Sequence, residues 1–495
     1  MRAIGKGLRR ESTPLRARSV LPRHVSRAGM MAGRVFVGVS LAAGIWGTAY
    51  AQSTGEAPPV DPPGLWQRSN LLGDMGGLRP ALQRRGITLG LQEISEVLDR
   101  SAGGSRAGEY EGLTTLDLGL DAGEAFGWSG GSFNLSVLQI HANTRAANDL
   151  NNLAHVSGIA ASRTTRLWEL WYDQAFAGGT ADVKIGQQSL DQEFISSQYA
   201  ATFVNTMMGW PMLPADDLYG GGPAYPLSSL GVRLRVQASP AWTLLGGVFN
   251  DNPPGGPFED DSQTRGSEAS GTRFNLNTGA LWIGEVQYAV NASPAKDCGS
   301  LECGLPGTYK LGAWYDTATF PGQRYDTDGV SRADPASSGI SRTHHGNYSV
   351  YAVADQMVWR QVGGPRSVGV FARVMGAPSD RNLMDYAISS GVVVKAPLAR
   401  RDDDVFGVGF GWSNVSSDAS DLDRDTQSFS GLPSPVRTAG RFVDITYQYQ
   451  AAAWWQIQPD VQYVDSPSGG MPDPLDPTRW LGSEWIVGLR TTVDF

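Results

Sequence analysis

The last strand of the chain most strongly limits what this sequence can fold into. From Trp485 to Phe495, mostly apolar side chains alternate with polar ones at a period of two, and the chain ends on an aromatic residue. Such alternation predicts an extended strand with one apolar and one polar face. A terminal strand of this kind is typical of outer-membrane β-barrels, which turn the apolar face toward lipid. We therefore expect further strands of a transmembrane barrel to precede it.

The first 51 residues have the composition of a secretory signal peptide. Nine Lys and Arg residues and a single acid lead into the apolar run from Val35 to Trp46, and Ala49-Tyr50-Ala51 follows as a small-x-small cleavage site. The apolar run is short for a membrane span, so export is favoured over anchoring. We expect residues 1–51 to be removed, although the pair Met30-Met31 leaves the true start open.

Removal of that segment makes the mature chain more acidic. The whole sequence has 40 basic and 49 acidic residues, and subtracting nine and one leaves a net charge near −17. This charge argues against nucleic acid as a partner. The mature chain also lacks a run of the ~20 apolar residues that a membrane helix needs. A soluble protein or a β-barrel remains.

The two cysteines, Cys298 and Cys303, have four residues between them and are the only ones in the chain. In an oxidising compartment they are expected to form a small local disulfide. A metal site is the alternative, but two thiolates with no neighbouring His or Cys fall short of four ligands. The sequence therefore predicts a disulfide and no metal site.

The rest of the mature chain divides into a leader, a short helix and a series of strands. Residues 52–70 are rich in Pro and small residues, and residues 71–86 contain a predicted short periplasmic helix that begins around Leu78 to Pro80 and stops at Gly86. Residues 87–495 contain about sixteen strand-like segments. Their connections alternate between long and short, which is typical of outer-membrane barrels with the long loops outward. The predicted fold is an all-β, antiparallel transmembrane barrel.

Membrane energetics decide which face of each strand meets lipid. In the clearest strand, Arg233 and Arg235 alternate with Val and Leu. Turning an arginine toward lipid near the bilayer midplane costs about 2 to 4 kcal/mol, so both arginines should face the lumen. The same reasoning places Glu285 and Arg373 inside, and Asp355 is a further predicted lumen residue. A soluble β-sandwich could also alternate, but it would need separate reasons for the terminal Phe and the loop asymmetry.

These five residues are the candidate substrate contacts. Arginine has five donors in a rigid fork, and carboxylates accept hydrogen bonds, so the two groups together suit sugar hydroxyls. The alternative is that lumen charges of this kind only hold water.

The longest connection, residues 189–228, is unusually apolar for a loop. A loop of this size tends to be functional, and its apolar side chains need a surface to pack on. We predict that this segment, called the long loop below, folds inward and narrows the channel. The alternative is an outer lid that packs on neighbouring loops.

Signals of enzymatic chemistry are weak in this sequence. Gly407-x-Gly409-x-Gly411 lies in a predicted strand and matches no nucleotide-binding pattern. Asp421-x-Asp423-x-Asp425 begins like a calcium loop, but Thr426 stands where that motif needs Gly. We expect a solvated acidic loop there, and no cofactor.

Several motifs in a fixed order resemble those of a known family. They are Gly73-Asp74-Met75-Gly76-Gly77-Leu78-Arg79, Gly186-Gln187, Tyr351-Ala352-Val353-Ala354-Asp355-Gln356, Gln458-Pro459-Asp460-Val461-Gln462-Tyr463 with Pro467 following, and the terminal strand. From about Leu71 to Phe495 the chain resembles the carbohydrate-selective porins of the OprB type. It departs from them at Met75, where the family usually has Trp.

The resemblance implies a sixteen-stranded outer-membrane barrel that lets sugars such as glucose diffuse into the periplasm. It does not identify sugar contacts position by position, so the five candidates rest on the residues alone. We therefore expect a porin for passive, selective diffusion of sugars, in contact with outer-membrane lipid and lipopolysaccharide, with a homo-oligomer left open. The alternatives are a general or cation-biased porin, an outer-membrane barrel enzyme, and a structural envelope protein with a plugged lumen.

Overall fold

The computed structural model describes most of the mature chain. The described residues are 64–100, 109–142, 156–256, 258, 269–291, 304–466, 472–473, 476–480 and 482–495. The predicted signal peptide 1–51, most of the leader 52–70, and both Cys298 and Cys303 lie outside the described residues. The signal peptide and the disulfide therefore stay predictions.

Within the described residues, sixteen antiparallel strands form one closed barrel, which confirms the predicted fold class. Strands β1 to β15 pair in chain order, and β18 closes the barrel by pairing with both β1 and β15. The strands of the barrel are β1 Ile87–Arg100, β2 Glu109–Asp121, β3 Gly131–Ile140, β4 Thr164–Phe176, β5 Ala181–Gln188, β6 Ser229–Gln237, β7 Trp242–Asn250, β8 Ala280–Val290, β9 Gly307–Asp326, β10 Ser341–Arg360, β11 Ser367–Gly376, β12 Met384–Lys395, β13 Val405–Val415, β14 Ala439–Ala452, β15 Trp455–Asp465 and β18 Glu484–Asp494.

The remaining elements are small. Strands β16 Pro472–Asp473 and β17 Asp476–Trp480 form a separate pair. The helices are α1 Leu78–Gln83, α2 Ala122–Phe126, α3 Thr206–Gly209, α4 Met212–Asp217 and α5 Ser417–Ser430, with 3₁₀ turns at Leu65–Gln67, Ala177–Gly179, Leu190–Gln192, Ala200–Thr202 and Tyr219–Gly221. In the part of the chain that the structure describes, no helix has the length and apolar character needed to cross a bilayer.

Side chains alternate between the two faces of the wall as membrane energetics require. On β6, Val232 and Leu234 are exposed outside, whereas Arg233 is buried inside. On the outer face of β9, Tyr309 and Tyr315 stand at the two ends of an apolar stretch. Aromatic residues at such positions are typical of membrane interfaces.

The connections on the two rims differ in length, as the sequence predicts. The short-turn rim has tight turns such as 238–241 and 453–454, whereas the opposite rim has the long loop. The N-terminal segment packs on the short-turn rim: the Trp454 indole donates a hydrogen bond of 3.0 Å to the carbonyl oxygen of Leu65, and the Leu71 amide donates one of 2.8 Å to that of Asp494.

Strands β9 and β10 are longer than their apolar alternation indicates. The pattern predicts strands that end near Thr317 and begin near Tyr348, but the pairing continues to Asp326 and Ser341. Beyond lipid, a strand needs no apolar outer face, so the period-two signal ends where the membrane ends. The backbone N–H and C=O groups of the two extensions still form the strand pairing, because the pairing gives each of them a hydrogen-bond partner.

The prediction of a solvated acidic loop around Asp421 is wrong, because this segment forms helix α5. The Ser416 side chain caps the helix by accepting a hydrogen bond from the Ala419 amide. The acidic side chains are bound to arginines from elsewhere in the chain: the closest distances are 2.6 Å between Asp421 and Arg324, 2.9 Å between Asp425 and Arg324, and 2.9 Å between Asp423 and Arg437. Sequence spacing could not show these distant partners.

We predict that Leu234→Arg destabilises the barrel by about 2 to 4 kcal/mol, because it places a charge against the hydrocarbon. Denaturant unfolding in lipid vesicles measures this change. Gln287→Arg is the control, since Gln287 lies on the inner face of β8, and it should leave the free energy of unfolding almost unchanged. Equal effects of the two substitutions would contradict the assignment of the faces.

Candidate constriction in the barrel

The long loop lies inside the barrel. Its segment contains helices α3 and α4 and three of the 3₁₀ turns, and most of its large apolar side chains are buried against the inner wall. These buried side chains include Phe194, Phe203, Met207, Met208, Trp210, Met212, Leu213 and Tyr225. The long loop therefore packs on the inner face of the wall.

Two buried carboxylates of the wall hold the first part of the long loop. Asp355 on β10 accepts hydrogen bonds from the Ser197 hydroxyl at 2.5 Å and from the Gln198 amide at 3.2 Å. Glu285 on β8 accepts one from the Ile195 amide at 2.9 Å and another from the Tyr351 hydroxyl at 3.0 Å. These carboxylates satisfy loop donors that would otherwise be buried without a partner.

Arg373 on β11 binds the same part of the loop through its carbonyl groups. Its guanidinium donates hydrogen bonds to the carbonyl oxygens of Ile195 at 3.2 Å, of Gly209 at 2.9 Å, and of Met207. The side chain is only 1% exposed. A rigid fork with several donors can bind several carbonyls at once, so one arginine ties two separate turns of the loop to the wall.

Strands β14 and β15 hold the middle of the long loop. The Asn205 amide donates to the Asp444 carboxylate at 3.0 Å, and the Asn205 side chain donates to the Gln462 side-chain oxygen at 2.9 Å. Gln458 donates to the carbonyl oxygen of Thr202 at 2.9 Å. The loop is thus bound to β8, β10 and β11 on one side and to β14 and β15 on another.

Glycines on the inner face of β13 let the loop approach this strand closely. A Cβ atom at Gly407 would lie 2.9 Å from the Phe203 ring, and one at Gly409 would lie 2.6 Å from the end of Met208. Both distances are shorter than normal contacts between carbon atoms. The glycine repeat that matches no nucleotide-binding pattern therefore has a packing role.

A cluster of charged side chains occupies the inner face of β4, β5 and β6. Arg233 contacts the carboxylates of Asp173 at 3.3 Å and Glu193 at 2.7 Å, and it also pairs with Asp182. The other members are Arg235, which lies 2.6 Å from Asp182, and Lys184, which pairs with Glu193. Glu193 belongs to the long loop, so this ion-pair cluster joins the loop to a third part of the wall.

The charge of Glu193 is stabilised by its partners. Burial by itself would raise the pKa of this carboxyl, but Lys184 and Arg233 outweigh burial and lower the pKa from 4.5 to about 2. Glu193 is consequently ionised at neutral pH.

Parts of the ion-pair cluster remain accessible from the lumen. Arg235 has 35% of its side chain exposed, and Asp173, Glu193 and Lys184 are each partly exposed. The Lys184 ammonium lies 4.6 Å from the centre of the Trp171 ring. An aromatic face and several charged hydrogen-bonding groups therefore border the same space.

The five candidate residues are all near one stretch of the long loop. Glu285, Asp355 and Arg373 bind residues 195–198 directly, Arg233 binds Glu193, and Arg235 is linked to Arg233 through Asp182. Their assignment to sugar contact stays a prediction, because every one of them is engaged by the protein itself.

Sequence reasoning missed three members of this region: Trp171, Lys184 and Glu193. Lys184 could have been found from its place among apolar neighbours in a predicted strand. The sequence contains no comparable indication for Glu193, because the alternation of apolar and polar residues predicts the position of side chains in strands and not in loops.

Comparison with known proteins places the chain in a family. The family model described as "Carbohydrate-selective porin, OprB family" matches residues 105–495. Porin B of Pseudomonas aeruginosa is 25% identical over 453 residues, which cover 88% of this chain and 93% of the relative. The putative porin QuiX of Acinetobacter baylyi is 24% identical over 452 residues, which cover 86% of this chain and 93% of that protein.

Solved structures support the same relationship at the level of the fold. The high-pH structure of Pseudomonas putida OprB matches with a TM-score of 0.72 and 22% identity, over 87% of this chain and 99% of that one. The low-pH structure of the same protein matches with a TM-score of 0.52 and 17% identity, over the same shares of the two chains.

The match to the family model spans most of the chain, and the closed barrel agrees with it. Both point to a channel in the bacterial outer membrane rather than to an enzyme. The chain belongs to the OprB family of carbohydrate-selective porins.

Proposed function

We propose that this porin lets small sugars, in particular glucose-like monosaccharides, diffuse passively into the periplasm through a constriction formed by the long loop. The description of the family as carbohydrate-selective supports a sugar channel. The observation that carries the proposal is that residues 193–198 of the long loop are held across the lumen by several parts of the wall. Such a constriction needs no cofactor and no energy source.

The accessible groups beside the constriction suit a sugar. The Trp171 ring offers an apolar face, and Arg235, Lys184 and Glu193 offer donors and acceptors around it. Together these groups can replace part of the hydration shell of a sugar. We infer that Arg235 is the candidate residue that a solute reaches, whereas Glu285, Asp355 and Arg373 act by holding the loop.

The charge balance of the cluster favours neutral solutes over the alternative of a cation-biased porin. The mature chain is strongly acidic, which by itself would attract cations. At the constriction, however, the basic residues Lys184, Arg233 and Arg235 offset the acidic ones, which are Asp173, Asp182 and Glu193. A nearly neutral constriction offers little advantage to a cation.

The maturation and the partners of the chain complete the proposal. We infer that residues 1–51 are removed on export, that residues 52–70 form a leader, that residues 71–86 lie on the periplasmic side, and that residues 87–495 form the barrel. Cys298 and Cys303 would form a disulfide in the oxidising periplasm. Outer-membrane lipid and lipopolysaccharide would surround the barrel.

Liposome swelling tests the proposed selectivity. We expect proteoliposomes to swell faster in glucose than in a charged sugar acid or an amino acid of similar size. Trp171→Ala should lower the glucose rate about threefold, which corresponds to the loss of roughly 0.6 kcal/mol. Trp282→Ala, on the outer face of β8, is the control. Equal rates for all solutes of one size would overturn the selectivity, and an absence of swelling would overturn the channel itself.

The pH dependence of the current tests the role of Glu193. Because its pKa is lowered to about 2 in the folded protein, its anchoring contribution is complete above about pH 4.5 and is lost as the pH falls toward 2. We expect single-channel current noise to rise over this range. Glu193→Gln should be noisy already at pH 7, and Glu124→Gln, in α2, should behave like the parent. A noise level that is independent of pH in the parent protein would contradict the anchoring role.

Close packing at β13 gives a separate test of the long loop. Gly409→Val should push Met208 and Phe203 away and loosen the loop, so channel conductance should rise and the preference for glucose over larger sugars should fall. Planar-bilayer recording and liposome swelling measure the two effects. Gly64→Val is the control for the addition of a side chain, because this exposed glycine has φ −53° and a Cβ atom there would have no atom within 4 Å. Unchanged conductance would mean that the loop does not narrow the pore.

A further inference from the structure

The two ends of the barrel sequence meet at the short-turn rim, where β18 closes the barrel. The last pair between β1 and β18 joins Gln92 to Asp494, and the Phe495 amide donates a hydrogen bond of 2.9 Å to the carbonyl oxygen of Leu91. In the described part of the chain, residues 87–90 of β1 pair with β2 but run beyond the end of β18. Strands fray from unpaired ends, so this is the place where the seam between β1 and β18 can open.

Residues 64–79, called the N-terminal clasp below, lie over this end of the seam. The Leu71 amide donates a hydrogen bond of 2.8 Å to the carbonyl oxygen of Asp494 on β18. Helix α1, which begins at Leu78 in the last part of the clasp, packs on β1. The clasp therefore contacts both strands that close the barrel.

Arg79 of the clasp binds the terminal carboxylate of the chain. Its guanidinium donates a hydrogen bond to the carboxylate of Phe495, although the two residues are 416 positions apart in the chain. Hydrogen bonds between a guanidinium and a carboxylate are charge-assisted and stronger than those between neutral groups. The Asp494 side chain is a second carboxylate close enough to interact with the charge of Arg79, but it accepts a hydrogen bond of 2.8 Å from the Gln92 side chain.

A tight turn before Arg79 brings its side chain to the C-terminus. The turn belongs to the motif of residues 73–79, which forms no part of the barrel wall or of the constriction. The amides of Gly77 and Arg79 both donate hydrogen bonds to the carbonyl oxygen of Asp74, at 3.2 and 3.1 Å. Gly76 and Gly77 have φ of +66° and +89°, a conformation that favours glycine. The turn therefore places the guanidinium beside the same chain end that the earlier part of the clasp binds.

A stack of indole rings holds the first part of the clasp. The centre of the Trp66 ring lies 5.8 Å from that of Trp454 and 6.4 Å from that of Trp455. The Trp455 indole donates a hydrogen bond of 2.9 Å to the Thr491 hydroxyl on β18. Stacked aromatic rings stabilise a contact beyond the apolar area that they bury. The clasp is thus bound to β15 as well as to β1 and β18.

We propose that the N-terminal clasp is a binding site for the chain's own C-terminal carboxylate, with Arg79 as the residue that recognises it, and that the filled site locks the seam between β1 and β18. The site is filled only after the barrel has closed, because pairing with β1 and β15 places the end of β18 at the rim. The clasp then slows opening of the seam, since β18 separates from β1 only after its end is released. This inference is independent of sugar selectivity.

Digestion of the folded protein with a carboxypeptidase that removes C-terminal aromatic residues tests the recognition of the carboxylate. Mass spectrometry of the full mature chain measures the loss of Phe495. We expect Arg79→Gln to lose this residue about tenfold faster than the parent, the change that corresponds to roughly 1.4 kcal/mol. Arg84→Gln, exposed at the end of α1, is the matched control and should behave like the parent. Equal rates for the parent and Arg79→Gln would overturn the proposal.

Unfolding kinetics test whether the filled site locks the seam. Two glycines added after Phe495 move the terminal charge away from Arg79, and heat-dependent gel mobility in a denaturing detergent measures the unfolding rate. Arg79→Gln and the extension should each raise this rate about tenfold. The two changes together should raise it no further than either one, because both remove the same contact. Effects that multiply in the combined variant would show that Arg79 and the terminus act separately, and would overturn the proposal.

Two further variants identify the group that Arg79 recognises. Asp494→Asn keeps the terminal carboxylate, so Arg79→Gln should retain its full effect on unfolding in that background. Loss of the effect there would show that the Asp494 side chain is the ligand instead. Arg79→Lys keeps the charge without the planar fork, so it should recover part of the stability. The carboxypeptidase measurement leaves the C-terminus intact, so it decides the proposal even if the extended chain does not fold.

Discussion

The pairing of β18 with β1 is the constraint on which the rest of this structure depends. Inside a bilayer no water is available to the backbone, so every strand needs a partner on both sides and the sheet has no open edge. The register from Gln92 with Asp494 to Arg100 with Ile486 meets this need across the two ends of the sequence. Closure then divides the side chains into an outer set that meets lipid and an inner set that meets the bore.

Closure also creates an interior that a loop can occupy only if its polar groups find partners there. The wall supplies them as buried charged and amide side chains, among which Glu285, Asp355 and Arg373 bind the first part of the long loop. Apolar packing adds to this, since glycines on β13 leave room for Phe203. A loop held in this way is a fixed part of the inner surface of the barrel, and the proposed constriction rests on it.

Prediction from the sequence succeeded where one physical preference acts on each residue separately. The lipid-facing side of β6 follows from the cost of placing Arg233 in hydrocarbon, and the terminal strand shows the same preference. It failed where the membrane no longer acts on the chain, as in the extensions of β9 and β10 and in helix α5. It also could not find Glu193, whose role depends on how the long loop folds back onto Lys184 and Arg233 in the two strands that flank it.

The sequence by itself determined that this chain forms a closed membrane barrel with charged residues inside, because lipid selects the outer face of every strand in the same way. Only the tertiary structure decided what those inner charges bind. Arg373 and Ile195 are 178 residues apart in the chain and meet only after the barrel has closed around the long loop. Residue type and alternation predict which face of a strand a side chain lies on. The group that this side chain binds depends on which strands and loops come together when the barrel closes.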